Sequence, residues 1–96
     1  MFDKMKQLAQ MQKQAQVLKK ELDNAAVDVT KVNGIRIRIS GSQKFLGLEV
    51  APELLKAENK ERLEQDLLSS LNAAIAESQK IAAAKMKDLM PGMPGF

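Results

Sequence analysis

The chain has 96 residues, 45% hydrophobic and only 3% aromatic, with 15 Lys/Arg against 12 Asp/Glu, enough for one domain. It contains no Cys and no His, which excludes disulfides and thiolate metal sites and removes the commonest general base and the commonest metal ligand. No apolar stretch approaches the ~20 residues of a membrane span, and residues 1–7 lack the apolar run of a signal peptide, so a cytoplasmic protein without a membrane partner is expected.

Residues 3–25 read as one long helix. Met1, Leu8, Ala15 and Leu22 recur every seventh residue, and so do Lys4, Met11, Leu18 and Ala25. This is the spacing of an apolar a/d seam. Gln and Lys, both good helix formers, fill the other faces. So narrow a stripe suits a partner helix better than a broad core. Asn24 marks a soft end.

The period then changes from seven to two. Val27 and Val29 alternate with Asp28 and Thr30. Asn33-Gly34 is the dipeptide best suited to a two-residue hairpin, because both positions tolerate positive φ. Ile35, Ile37 and Ile39 alternate with Arg36, Arg38 and Ser40, the clearest strand in the chain. Gly41-Ser42-Gln43 form a second turn. Residues 44–50 are a third strand, with Leu46, Leu48 and Val50 on one face. The result is an antiparallel meander with one apolar and one polar face. On the polar face Asp28 and Glu49 can pair with Arg36 and Arg38 across strands.

Pro52 suits the first position of a short helical turn. Asn59 is a candidate N-cap for the last helix, with Glu61 and Glu64 near its start, where the helix dipole favours acids. Leu63, Leu67, Leu71, Ala74, Ile75, Met86 and Leu89 come next at helical spacing. Nothing interrupts this helix before Pro91, so it spans roughly 30 residues, or about 45 Å.

The expected fold class is therefore α+β: a long helix, a three-stranded antiparallel β-meander, a short helical turn and a long C-terminal helix. A single domain covers residues 1–90, and a flexible Pro/Gly tail occupies 91–96. The apolar sheet face and the helix seams exceed what one small unit covers. The set Leu8, Leu18, Leu22, Ile35, Ile37, Ile39, Leu46, Leu48 and Val50 is thus expected to serve both the core and a homodimer.

Catalytic chemistry finds little support. No His-based triad is possible, and Gly41-Ser42-Gln43-Lys44 lacks the glycine spacing of a phosphate-binding loop. Acids mostly have bases three or four residues away, as in Glu58–Arg62 and Glu77–Lys80. No enzyme activity, cofactor, metal or small-molecule substrate is expected.

The charge is unevenly spread. Residues 1–45 carry nine Lys/Arg and four Asp/Glu, whereas residues 46–96 carry six and eight. The asymmetry points to a polyanionic partner for part of the surface. Lys4, Lys6 and Lys13 lie on the first half of the first helix, and Lys80, Lys85 and Lys87 on the last part of the final one. If the two helices pack antiparallel, these basic ends meet at one tip, opposite the acidic stretch 58–66. Phosphate contacts need only positive charge within reach. These six lysines are the candidate DNA contacts, with Lys19 and Lys20 as possible additions. The absence of an Arg/Asn/Gln base-reading cluster and of stacking aromatics predicts weak sequence preference. Met1, Met5, Met11, Met86, Met90 and Met93 concentrate at the same tip. They suggest an alternative, a chaperone-like coiled-coil adaptor that binds proteins through a Met-rich surface.

Several strings, in order, resemble a known family: Met5-Lys6-Gln7 and Met11-Gln12-Lys13-Gln14-Ala15, then Leu48-Glu49-Val50-Ala51-Pro52-Glu53-Leu54-Leu55. They continue with Asn59-Lys60-Glu61-Arg62-Leu63-Glu64-Gln65-Asp66-Leu67, Leu71-Asn72-Ala73-Ala74-Ile75, Lys85-Met86-Lys87-Asp88-Leu89 and the Pro-Gly-Met tail. Over nearly its whole length the chain resembles the YbaB/EbfC nucleoid-associated proteins. The resemblance implies a cytoplasmic, nucleoid-associated bacterial protein that binds DNA. It also implies a homodimer with central sheets, whose paired helices project as tweezers-like arms and contact the DNA. It carries no catalytic motif.

Overall fold

Ile35, Ile37 and Ile39 are almost completely buried, and the other elements are arranged around the face they share. The computed structural model describes residues 2–89, apart from the side chain of Phe2. The elements are α1 (Phe2–Asn24), β1 (Ala26–Val29), β2 (Ile35–Ser40), β3 (Phe45–Val50), two short 3-10 turns (Pro52–Leu54 and Ala57–Asn59) and α2 (Lys60–Leu89). The meander between two long helices is as the periodicities predict. The second 3-10 turn leaves no periodic trace in the sequence, and it takes Asn59 as its last residue. The expected tail at 91–96 lies outside the described residues, as do Met1, Met90 and Met93.

The sheet is antiparallel in the order β1-β2-β3. Arg36 stands opposite Glu49 and Arg38 opposite Asp28, and the pairs close at 2.6 and 3.2 Å. The hydrogen bond with Glu49, reinforced by its charge, raises the pKa of the Arg36 guanidinium above its ordinary value. The outer face is thus a self-neutralised polar surface. Across the inner face runs α2, with Ser70, Ala74 and Ser78 buried at four-residue spacing. These small side chains let the helix settle close to the isoleucines. Ala74 joins Val29, Ile35, Ile37 and Ile39 in the core, flanked by Leu63, Leu67 and Leu71. Ser78 donates a hydrogen bond of 2.7 Å to the Ser40 carbonyl.

The first hairpin is not the two-residue turn that Asn33-Gly34 predicts. Residues 30–34 connect the strands, and of the two turn residues Gly34 alone takes positive φ, at 95°. Val32 is the physical reason: it packs against the core, so the chain loops inward before Ile35 bonds back to the Val32 carbonyl at 3.1 Å. A Cβ on Gly34 would stand 2.9 Å from Leu54 Cδ1.

The third strand also departs from simple alternation. Arg38 faces Gly47 while Ile39 faces Phe45, so Leu46 is the extra residue of a β-bulge. Phe45, not Leu46, continues the row of Leu48 and Val50. Moreover α2 lies over β1 and β2, leaving Phe45, Leu46 and Leu48 about half exposed. Of the expected core set, Leu18 and the three isoleucines are buried, and Leu22 and Val50 are half-buried. Leu8, Leu46 and Leu48 lie outside the core of a single chain. Leu46 and Leu48 stand on the strand that α2 leaves largely uncovered, where Leu71 is the α2 residue that lines their groove.

Candidate nucleic-acid interface

The long helices meet the sheet at a joint built on Gly41. Its N–H bonds to the Ala25 carbonyl at 2.7 Å. A Cβ there would lie 3.0 Å from Ile81 and 3.1 Å from Leu22, so glycine is what lets both helices close on the turn. Ser42 donates to the Asp23 carboxylate at 2.5 Å and shares a 2.8 Å hydrogen bond with Ser40. The joint aims α1 along the C-terminal part of α2 in antiparallel sense. Leu22 stands beside Ile81, and one turn on, Lys85 donates to Glu21 at 3.5 Å.

These two contacts set the register. Continued at 1.5 Å per residue along both helices, they bring Leu89 level with about residue 15 of α1, so α1 runs on for roughly 20 Å alone. The molecule measures 67 Å along its longest axis, well beyond the ~45 Å that α2 spans. The expected meeting of both basic ends at one tip is therefore corrected. Lys4 lies about 25 Å along the helix from the level of Lys85. The Gly41 joint causes the stagger: residues 2–21 of α1 lie beyond it, but only residues 82–89 of α2. The lysines form a staggered track along one arm, and the acidic stretch 58–66 sits at the other end of the molecule.

Faces separate the lysines further. Leu18 is buried against the rest of the arm. Lys6, Lys13 and Lys20 recur every seventh residue, roughly 120–160° around the helix from Leu18 and about 10 Å apart along it. All three are exposed. Lys4 shares the heptad position of Met11 and Leu18 and so falls on the seam side, while Lys19 lies on a flank. On α2, Lys80 bonds to Glu77 at 3.2 Å. Lys85 is held by Glu21, and Lys87 is exposed in the last turn, where a cation complements the helix dipole. The structure thus does not bring the six candidate lysines together. It groups Lys6 and Lys13 with Lys20, and places carboxylates against Lys80 and Lys85. The heptad of lysines is visible in the sequence, but only the burial of Leu18 says which way it faces. Glu21, 64 residues from Lys85, gives no local signal at all.

The first turns of α2 carry two further ion pairs. Lys60 pairs with Glu64 at 3.0 Å. Arg62 faces Asp66 at 3.9 Å instead of the expected Glu58, which sits in a 3-10 turn off the helical spacing. Among the described residues, no group of three or more acidic side chains could hold a metal ion, and no helix is long and apolar enough to cross a membrane.

The sequence profile of the YbaB/EbfC DNA-binding family matches residues 1–93. A nucleoid-associated protein of Rhodopseudomonas palustris is 37% identical over 92 residues, covering 95% of this chain and 83% of its own. One from Desulforamulus reducens is 30% identical over 95 residues, covering 96% and 90%. Among solved structures, an uncharacterized protein from Helicobacter pylori has the same fold, with a TM-score of 0.66 at 22% identity, over 85% of this chain and 83% of the other.

Proposed function

The chain belongs to the YbaB/EbfC DNA-binding family, and we propose that it acts as a nucleoid-associated homodimer that grips duplex DNA by its phosphates with little base preference. The observation that carries this reading is the outward stripe of Lys6, Lys13 and Lys20. It presents three exposed cations on one helix face turned away from the seam. Lys4, Lys19 and Lys87 extend the positive track. Lys80 and Lys85 contribute less while held by carboxylates. Phosphate contact orients a protein on DNA without reading bases, and none of the described side chains of α1 is aromatic or Arg. Such a role places the protein in the cytoplasm, on the nucleoid.

The homodimer is supported by the uncovered strand. Ile37, Phe45, Leu46, Gly47, Leu48 and Leu71 line an open groove of about 410 Å³. A second copy supplies an identical apolar edge to close it, which would leave the arms free.

A salt series of duplex binding tests the DNA reading. If the six stripe lysines of a dimer each neutralise a phosphate, log K falls against log salt with a slope near −5. The triple variant Lys6→Gln, Lys13→Gln, Lys20→Gln should flatten that slope by several units on every duplex alike. A slope unchanged by the triple substitution would place the contact elsewhere.

A further inference from the structure

The free end of α1 carries an apolar stripe that the described residues do not cover. Met5, Leu8 and Met11 are 69%, 61% and 60% exposed. They lie on the seam side of α1, past the level at which α2 stops. The overhang takes in residues 2–14, roughly 20 Å of helix. Leu8 is both the midpoint of this overhang and the middle of the stripe.

We infer that a second copy of this chain covers the stripe, its own α1 laid antiparallel across a twofold axis at Leu8. Length, pattern and charge carry the assignment. In that register residue 2 of one α1 comes level with residue 14 of the other. The second helix thus fills the whole slot that α2 leaves open and overruns neither end. Leu8 meets Leu8, and Met5 meets Met11 on either side of the axis, the self-complementarity that an isologous contact demands. No lysine comes level with another: Lys4 stands level with Gln12, Lys6 with Gln10 and Lys13 with Asp3. A parallel pairing would set each of these lysines against its own copy. The incoming helix also continues the line of α2. Its first turn, which carries Asp3, follows the last turn of α2, which carries Lys87. Opposite dipole ends and opposite charges therefore adjoin. Lys6, Lys13 and Lys20 stay on the outside of the pair.

This contact is distinct from the one at β3 and does not rest on it. Leu8 lies about 20 Å along α1 from Leu22 at the Gly41 joint, and the sheet lies on the other side of that joint. An axis that crosses α1 at Leu8 misses the groove at β3, so the two contacts join a chain to two different copies. Three large side chains per copy make a contact of the small, transient class, below about 1,200 Å² in total. It forms where copies are concentrated and not in dilute solution.

The chain has no Cys, so one thiol at the axis reports the contact. In Leu8→Cys at high protein concentration, mild oxidation should give a reducible species at the mass of two chains. Its yield should be several-fold that of Val17→Cys, whose site is 50% exposed but lies opposite Leu8 around the helix. The yield should persist in Leu8→Cys/Leu48→Asp, where the β3 contact is removed. In sedimentation velocity the unsubstituted protein should gain a species larger than its dilute form as concentration rises, and Leu8→Asp should not. A thiol that stays free, or a yield no greater than that of Val17→Cys, would overturn the inference and leave the stripe to the same chain or to another protein. A disulfide lost in the Leu48→Asp background would do so too, by placing both contacts in one pair. So would a sedimentation profile that Leu8→Asp leaves unchanged. None of these readouts involves DNA, so the result stands apart from the binding experiment.

Discussion

Lys85 near the end of α2 reaches the carboxylate of Glu21 on α1 at 3.5 Å, and this contact between residues distant in sequence marks the level from which α1 overshoots α2. Both side chains are well exposed, 38% and 50%, so the pair is worth well under about 1 kcal/mol once solvent screening is counted. Its consequence is electrostatic: it places a carboxylate beside the lysine track.

Glu21→Gln is therefore expected to leave the unfolding midpoint nearly unchanged while tightening DNA binding. It removes one negative charge per chain and releases Lys85. The salt slope should steepen by about 1–2 for a dimer. Titrations on one duplex at several salt concentrations check this, and weaker binding by the variant would contradict the proposed track.

Leu48→Asp tests the dimer. Leu48 is 56% exposed in the single chain, so the charge costs the fold little but sits in the middle of the proposed apolar contact. Sedimentation equilibrium should show a dimer for the parent protein and a monomer for the variant, with unchanged helical circular dichroism. A parent protein that is monomeric at micromolar concentration would refute the assignment.

The two buried serines of α2 should respond in opposite ways. Ser70 Oγ is buried without a hydrogen-bond partner, so Ser70→Ala removes an unsatisfied group and is expected to be neutral or stabilising by about 1 kcal/mol. Ser78 donates to the Ser40 carbonyl, which also accepts from the Gln43 N–H, so Ser78→Ala loses one hydrogen bond without orphaning the acceptor, at a cost of about 0.5–1.5 kcal/mol. Urea unfolding of both variants side by side provides the comparison.

Gln43 is the described non-glycine residue with positive φ, at 65°. Left-handed backbone costs an L-residue roughly 1–2 kcal/mol, which glycine avoids at the expense of more unfolded-state entropy. Gln43→Gly should therefore stabilise by about 0.5–1 kcal/mol, measurable as a higher denaturation midpoint. At Gly41 the opposite holds. Gly41→Ala drives a methyl into Ile81 and Leu22, an overpacking that typically costs about 1–3 kcal/mol.

Local periodicity was enough for much of this protein. The heptads of Leu8, Ala15 and Leu22 announce a helix, and the alternation of Ile35, Ile37 and Ile39 announces a strand half-buried under something apolar. Even the Arg36–Glu49 and Arg38–Asp28 pairs were legible, because direct cross-strand neighbours are set by strand order and turn position. These features depend on residues close in sequence, or on a register that short turns impose.

Three things were decided only by the tertiary structure. Val32 turned inward and lengthened the first hairpin, because a core site was available to it. The bulge at Leu46 moved Phe45 into the apolar row, and the path of α2 over β1 and β2 left β3 bare. Above all, the joint at Gly41 set the stagger of α1 against α2, separating lysines that charge counting alone would put at one tip. A helix face has no outside until its partner is placed. The sequence by itself could name the charges, while their shared direction depended on Leu18 being buried and Glu21 finding Lys85.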